Sequence, residues 1–147
     1  MTGSRPSSMS RGMAGANPEG GNGKGRRVAI VEDEMMVAWS LETMAEELGH
    51  VVTGVFASGE AAIEALSRDP PDLLFMDINL GGGIDGVETA RRLRQAHAMT
   101  VLFISAYADD ATRDRVREAI PDARLLGKPV QTLILKQAID EATGIAG

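Results

Sequence analysis

The sequence predicts an α/β fold in which a five-stranded parallel sheet is covered by helices on both faces. From Arg26 onward, short apolar runs alternate with helix-like patterns five times. Strands that alternate with helices form parallel sheets, because each helix carries the chain back across a face of the sheet. In addition, 147 residues of 44% hydrophobic composition suffice for one domain with a single core.

The first strand and helix are marked by an apolar run at 28–31 and by the helical spacing that follows it. Gly49 ends this helix, since glycine readily adopts the conformation found just past a helix C-terminus. Residues 51–56 then form the second strand. The apolar positions of the first helix are Val37, Leu41, Met44 and Leu48.

The second helix and the third strand also have clear boundaries. Ser58 can cap the helix, and the prolines at 70–71 end it. Residues 73–76 form the third strand, which runs into the carboxylate of Asp77 and then into a glycine-rich loop. The inward positions of the second helix are Ile63 and Leu66.

The second half of the chain continues the alternation. Strands are predicted at 101–104 and 123–126, with a charged helix at 109–119 between them and a last helix at 130–142. Right-handed crossovers favour a doubly wound, flavodoxin-like sheet of strand order 2-1-3-4-5. The predicted inner positions are Val87, Ala90 and Leu93 of the third helix, and Leu133, Ile134, Gln137 and Ala138 of the fifth.

Composition argues against several classes of protein. No apolar run approaches the ~20 residues that a membrane span requires, and the N-terminus lacks the apolar stretch of a signal peptide. Cysteine is absent, and His50 and His97 are too isolated to form a zinc cluster. The net charge of −6 argues against nucleic acid as the main partner. These observations predict a soluble, cytoplasmic protein that binds neither nucleic acid nor membrane.

Residues 1–25 differ from the rest of the chain. Their glycines are interspersed with Ser, Pro and Asn, and no period of strand or helix appears. We therefore expect a disordered tail at 1–25 and one folded domain at 26–147.

Polar side chains follow four of the predicted strands. Glu32 and Asp33 follow the first strand, Asp77 the third, Ser105 the fourth and Lys128 the fifth. Strands 1, 3, 4 and 5 are neighbours in the predicted order, and ligands of such sheets bind beyond the carboxyl ends of the strands. We expect these five groups to meet in one shallow pocket.

The chemistry of that pocket points to phosphoryl transfer. Clustered carboxylates repel one another and imply a cation, and hard oxygen ligands with open water positions suit Mg²⁺. The Lys128 amine and the Ser105 hydroxyl could cover phosphoryl oxygens, and phosphoryl transfer needs mainly positioning and charge neutralisation. Asp77 is the candidate nucleophile, which would form an aspartyl phosphate.

Five motifs carry a family resemblance: VAIVEDE, DLLFMDINL, IDGVETA, VLFISAY and LLGKPV, in this order. With them, the chain resembles the receiver domain of two-component response regulators over about residues 27–143. The resemblance implies that Asp77 accepts a phosphoryl group from a sensor histidine kinase or a histidine phosphotransfer protein. It further implies a signal passed on by protein–protein contact, or a role as a phosphate sink.

The resemblance also assigns roles to the other residues of the pocket. Glu32 and Asp33 would bind Mg²⁺ together with Asp77 and the backbone carbonyl of Asn79. Ser105 and Lys128 would contact the phosphoryl group. The chain would then be a phosphoacceptor rather than an enzyme, with slow Mg²⁺-dependent self-phosphorylation and autodephosphorylation. The Lys128–Pro129 peptide bond is expected to be cis.

Two features depart from the usual receiver pattern. Leu125 stands where receivers usually carry an aromatic residue in the fifth strand, and Tyr107 lies two residues after Ser105 instead. This arrangement is similar to that of a subgroup of single-domain receivers, and we expect a receiver without an output domain. We therefore expect the segment from Ser105 through the fourth helix to carry the conformational change, with Tyr107 as the moving group.

Two alternatives remain open on the sequence. A pseudo-receiver would have the same fold and be regulated without phosphate, although it would not need the complete set of acids, hydroxyl and amine. A phosphatase or phosphomutase that uses an aspartyl phosphate usually needs a second acid two residues after its nucleophile. Asn79 stands at that position, so this reading ranks last.

Overall fold

The computed structural model describes residues 25–144. The predicted tail, apart from Gly25, lies outside the described residues, as do residues 145–147. Strands and helices alternate throughout. They are β1 (Arg27–Val31), α1 (Met35–Glu47), β2 (Val51–Phe56), α2 (Gly59–Leu66), β3 (Leu73–Asp77), α3 (Gly86–Ala96), β4 (Thr100–Ser105), α4 (Asp110–Ala119), β5 (Arg124–Gly127) and α5 (Thr132–Thr143).

The five strands form one parallel sheet in the order β2-β1-β3-β4-β5. The predicted fold class and strand order are therefore confirmed. β3 is central, and all five of its residues are buried because helices cover both faces of the sheet. No helix within residues 25–144 is both long enough and apolar enough to span a bilayer.

Side chains that alternate along the strands divide the core into two layers. One layer lies beneath α1 and α5 and includes Ile30, Phe75 and Leu135. The other lies beneath α2, α3 and α4 and includes Met76 and Phe103. The central strands are therefore fixed from both sides, which holds rigidly any group placed at their ends.

Short polar side chains begin three of the helices on the second face. The Ser58 hydroxyl accepts a hydrogen bond from the Ala61 N–H at 3.1 Å, as the sequence predicts. Asp85 and Asp109 cap α3 and α4 through the N–H groups of Glu88 and Thr112. Each cap satisfies a backbone donor that the first helical turn leaves without a partner.

The predicted inner face of the last helix is wrong at three of four positions. α5 begins at Thr132, and its buried residues are Leu135, Ala138 and Ile139. Leu133 and Ile134 are 64% and 45% exposed, and Gln137 is also exposed. Two overlapping apolar stripes fit this sequence at helical spacing, and only the docking angle on the sheet selects between them.

Candidate functional site

The parallel sheet brings four strand ends to one edge. Val31 pairs with Met76, Asp77 with Ile104, and Ser105 with Gly127. Glu32 and Lys128 directly follow β1 and β5, so they lie level with Asp77 and Ser105. The Lys128 N–H donates to the Ser105 carbonyl at 2.9 Å and ties these two strand ends together.

Three carboxylates converge at this edge. Each of Glu32, Asp33 and Asp77 offers an oxygen, and these oxygens lie within 4.8 Å of one another. Glu32 and Asp77 are buried, at 2% and 6% exposure, whereas Asp33 is exposed at the rim. Buried carboxylates so close together require a cationic partner.

The cation that the chain itself provides is Lys128. Its Nζ lies 2.8 Å from Glu32 Oε1 and 3.5 Å from Asp77 Oδ2. Glu32 Oε2 accepts a hydrogen bond from the Glu34 N–H at 3.1 Å, but Oε1 has the Lys128 ammonium as its partner and makes no other hydrogen bond to any described residue. One ammonium thus faces three carboxylates, which leaves the pocket negatively charged.

Burial and the neighbouring Glu32 charge raise the pKa of Asp77 to about 6, although Lys128 and the backbone N–H of Asn79 oppose the shift. Burial alone would lower the pKa of Lys128, but its contacts with Glu32 and Asp77 together outweigh burial and raise that pKa. The ammonium is therefore charged at neutral pH.

The residues of this pocket fit a divalent cation. The available donors are hard carboxylate oxygens, which suit Mg²⁺. Three carboxylates offer oxygens within 4.8 Å of one another, and a single ammonium stands against them. Asn79 is exposed on the loop beside Asp77. The donor oxygens and the charge excess together agree with a Mg²⁺ site at this edge of the sheet.

Ser105 lies at this edge, but its hydroxyl is engaged elsewhere. Its Oγ accepts a hydrogen bond from the Tyr107 N–H at 3.0 Å, and the residue is fully buried. Tyr107 is 63% exposed. Leu125 is half-buried and packs against the second core layer. The Lys128–Pro129 bond is cis, as the sequence led us to expect.

Gly86 is a site residue whose role sequence reasoning missed. Its N–H donates to the Ile78 carbonyl at 2.8 Å, and a Cβ at this position would overlap the carbonyl oxygen of Asp77. The first turn of α3 therefore lies directly on the backbone of the candidate phosphoacceptor. Gly86 belongs to the motif IDGVETA, but the spacing of a motif does not show which backbone atoms its glycine contacts.

Glu60 was also missed, because it lies on α2 and belongs to none of the motifs. Its Oε2 accepts a hydrogen bond from the Ile84 N–H at 3.0 Å, so it holds the loop between β3 and α3. Asp33 Oδ2 accepts a second bond from this loop, from the Gly81 N–H at 3.2 Å. No pattern in the sequence predicts either contact, because the partners are far apart in the chain.

An apolar groove lies beside the pocket, between α1 and the segment after β5. Its volume is about 440 Å³, and Lys128 contributes to its wall. Met35, Met36 and Trp39 stand on the exposed side of α1, at 86%, 74% and 64% exposure. Of these three, Met36 belongs to the groove lining, whose further apolar residues include Val37, Leu41, Met44, Ile104 and Val130.

The family model of the response regulator receiver domain matches residues 28–140. The chain is a response regulator receiver domain. Receivers in general are phosphoacceptors rather than enzymes, and they bind Mg²⁺ at an acidic pocket such as that of Glu32, Asp33 and Asp77.

Curated relatives and a solved structure agree with this assignment. The receiver is 33% identical to the phyllosphere-induced regulator PhyR of Methylorubrum extorquens over 116 residues, covering 78% of this chain and 42% of PhyR. It is 30% identical to the transcriptional regulatory protein PdtaR of Mycobacterium tuberculosis over 117 residues, covering 80% of this chain and 56% of PdtaR. This receiver thus spans about half the length of these relatives.

The signal receiver domain of a modulated diguanylate cyclase from Desulfovibrio desulfuricans has the same fold. Its TM-score is 0.75 at 36% identity, and the match covers 82% of this chain and 95% of that one. The receiver domain of PhyR from Erythrobacter litoralis matches with a TM-score of 0.72 at 28% identity, over 84% of this chain and 93% of that one.

Proposed function

We propose that this receiver accepts a phosphoryl group on Asp77 from a histidine kinase or a histidine phosphotransfer protein. Mg²⁺ would be held by Glu32, Asp33 and Asp77, with the backbone carbonyl of Asn79 as a further ligand. The observation that carries the proposal is the pocket itself. Three carboxylate oxygens lie within 4.8 Å of one another beside a single ammonium, at the edge where four strands end.

The proposed step is an in-line transfer. A carboxylate oxygen of Asp77 attacks the phosphorus of a phosphohistidine, and the P–N bond breaks. The imidazole nitrogen keeps the bonding electron pair and takes up a proton. Bound Mg²⁺ would supply neutralisation of the charge on the phosphoryl oxygens.

Residues of the chain support this step in separate ways. The Lys128 ammonium already lies 3.5 Å from Asp77 Oδ2 and can turn to a phosphoryl oxygen. The Ser105 hydroxyl, whose oxygen accepts the Tyr107 N–H, can donate its own O–H to a phosphoryl oxygen, and a turn of Ser105 toward that oxygen would pull on the loop that follows β4. The phosphorylated state is then distinguished by a rearranged loop at the head of α4.

The groove between α1 and the segment after β5 is the proposed docking surface for the phosphodonor protein. It opens beside Lys128, and Met36 contributes to its wall. Trp39 is exposed on the same helix. An apolar helix of the donor would bury these side chains while its phosphohistidine faces Asp77, as helix-in-groove recognition requires.

Phosphorylation by a small donor tests the acceptor assignment. Wild-type protein incubated with Mg²⁺ and phosphoramidate should gain one phosphoryl group by intact mass, and EDTA should prevent the gain. Asp77→Asn should gain none, because a carboxamide of nearly the same size is a poor nucleophile. Asp85→Asn, which alters the next acid along the loop, should still be phosphorylated.

Two outcomes would contradict the proposal. Phosphorylation of Asp77→Asn at the wild-type level would place the acceptor elsewhere. A wild-type protein that binds no Mg²⁺ and gains no phosphoryl group would instead favour the pseudo-receiver alternative, in which the same fold is regulated without phosphate.

A further inference from the structure

The loop between β3 and α3 has few side chains where it passes the carboxylate pocket. It contains three consecutive glycines, Gly81, Gly82 and Gly83. Gly82 and Gly83 adopt left-handed conformations, with φ of 68° and 65°. Glycine loses more conformational freedom on folding than any other residue and makes no side-chain contacts. The position of this loop therefore depends on groups supplied by other elements.

Two carboxylates from other elements hold the glycine run at its two ends. Asp33, after β1, accepts a hydrogen bond from the Gly81 N–H at 3.2 Å. Glu60, in the first turn of α2, accepts one from the Ile84 N–H at 3.0 Å. Hydrogen bonds from backbone N–H groups to ionised carboxylates are among the stronger ones in proteins. The loop is thus held between two elements that lie apart in the chain.

Glu60 fits closely against the loop. A Cβ at Gly83 would overlap the Glu60 carboxylate, so the carboxylate lies directly on the glycine backbone. The hydrogen bond from Ile84 is the main reason that the pKa of Glu60 is lowered, which keeps the acceptor ionised at neutral pH. The Ser58 cap fixes the helix turn from which Glu60 projects. The packing on Gly83, the hydrogen bond from Ile84 and the Ser58 cap therefore all favour this contact.

The two carboxylates are not equivalent once a metal ion is considered. Asp33 belongs to the proposed Mg²⁺ site, and an oxygen that binds the ion is less available to the Gly81 N–H. Glu60 lies outside that group of acids and keeps its bond to Ile84. Asn79, whose carbonyl is a proposed ligand, lies on the same loop two residues before Gly81.

We propose that Glu60 is a positioning residue that fixes the loop at 81–84, and with it the Asn79 carbonyl, for Mg²⁺ binding. Glu60 does not touch the ion or the phosphoryl group. It acts through the Ile84 N–H and the Gly83 backbone. The inference rests on the proposed function and deepens it, because it adds a residue from α2 that keeps the metal site in place.

The test compares Glu60→Ala with Glu60→Gln and with a matched control, Glu64→Ala. Glu64 lies one turn further along α2 and, among residues 25–144, forms its ion pair with Arg68 on the exposed surface. Residues that orient metal ligands typically change metal affinity tenfold or more when they are removed. We expect Mg²⁺ to bind about tenfold more weakly to Glu60→Ala, whereas Glu60→Gln, which retains an acceptor oxygen, and Glu64→Ala should bind nearly as wild type does.

Phosphorylation with phosphoramidate should show a specific pattern. The rate of Glu60→Ala should fall at subsaturating Mg²⁺ and return to near the wild-type rate at saturating Mg²⁺, because the acceptor itself is intact. A merely structural loss would lower the rate at both concentrations. Glu60→Gln should restore most of the rate at low Mg²⁺.

A readout without metal or phosphodonor checks the contact itself. The Ile84 amide proton should move upfield and exchange faster with solvent in Glu60→Ala than in Glu64→Ala. An unchanged Ile84 amide, or a changed amide with unaltered Mg²⁺ affinity, overturns the inference while the proposed function stands. If the wild-type protein binds no Mg²⁺, the proposed function fails and the role of Glu60 fails with it.

Discussion

Asp77 shows how one residue combines burial with a charge that the fold does not fully neutralise. It is 6% exposed, ends the central strand, and has Glu32 and Lys128 as charged neighbours. Burial and the like charge both disfavour its ionised form. The ionised carboxylate therefore lowers the stability of the protein, while the central strand holds it rigidly at the edge of the sheet.

The stability of the metal-free protein should therefore depend on Asp77 in a defined pH window. Because the pKa is raised to about 6 in the folded state, the folded protein holds this proton more tightly than the unfolded chain. The penalty is absent below about pH 4 and complete above about pH 6. Asp77→Asn should therefore be more stable than wild type by roughly 2 kcal/mol at pH 7.5, and equally stable at pH 4.

Denaturant unfolding in EDTA across this pH range measures the difference. Asp114→Asn is the matched control, because Asp114 is an exposed acid whose ion pair, within the described part of the chain, is with Arg117 on the surface. That variant should differ little from wild type at either pH. If the stability difference between Asp77→Asn and wild type does not grow as the pH rises, Asp77 is not the acid whose ionisation destabilises the folded state.

At the scale of elements, the contact between α3 and β3 fixes the backbone of the acceptor. Gly86 begins α3 and lies against the Asp77 carbonyl, where no Cβ fits. The preceding residue, Asp85, caps α3 and forms an ion pair with Arg115 of α4. α4 is therefore connected through one ion pair and one close backbone contact to the strand end that carries Asp77.

Gly86→Ala should destabilise the domain and disturb the acceptor together. The methyl group would meet backbone atoms, which cannot move without displacing β3 or α3, so the free energy of unfolding should fall by about 1–3 kcal/mol. Gly127→Ala is the control, since a Cβ there would make an ordinary 3.6 Å contact with the Ala108 Cβ. Equal stability of the two variants, measured by denaturant unfolding, would contradict the close contact.

Among the five helices of residues 25–144, α4 has the fewest buried residues. Val116 is its only buried residue, and most of its other side chains are exposed. Few buried apolar contacts imply a low free energy of local opening. We expect amide exchange to be faster in residues 105–119 than in α1, and these amides to shift most on phosphorylation after the pocket itself.

Tyr107→Ala should separate phosphoryl uptake from that response. The Tyr107 side chain is exposed and supplies none of the clustered carboxylates, so uptake should remain near the wild-type level. The shifts in α4 should shrink, because the side chain proposed to move with Ser105 is lost. Tyr107→Phe should retain the shifts if ring packing carries the signal. Unchanged α4 shifts in Tyr107→Ala would mean that the signal leaves by another route.

For the whole molecule, Mg²⁺ should act as a stabilising ligand because its site exists only in the folded state. The gain in the free energy of unfolding depends on the ratio of the free Mg²⁺ concentration to its dissociation constant. It is about 1.4 kcal/mol when the free Mg²⁺ concentration is ten times that constant. The melting temperature should therefore rise with millimolar MgCl₂. NaCl at matched ionic strength should raise it less, and an equal rise would indicate screening of the net charge of −6 rather than binding at the pocket.

Much of this molecule follows from local patterns in the sequence. The buried runs of β1, β3 and β4 and the Ser58 cap are local, and alternation of strands and helices then determines the strand order. The pocket follows as well, because residues just after neighbouring parallel strands must meet at one edge.

The parts that could not be predicted depend on contacts between distant segments. The buried face of α5 depends on how the helix docks on the sheet, so Leu133 was expected inside and lies outside. His50 looked like an isolated histidine, yet its Nδ1 accepts a hydrogen bond from the Arg26 N–H at 3.1 Å. Glu60 and Gly86 have roles only once α2 and α3 are placed against β3.

Trp39 provides the protein with an intrinsic fluorescence probe. It is the sole tryptophan of the chain, it is 64% exposed, and it lies on the helix that forms one wall of the groove. Its emission therefore reports from the helix that forms one wall of the proposed docking surface, without any attached dye. A phosphodonor protein that lacks tryptophan would cover the indole on docking, and a blue shift in fluorescence would follow complex formation in real time.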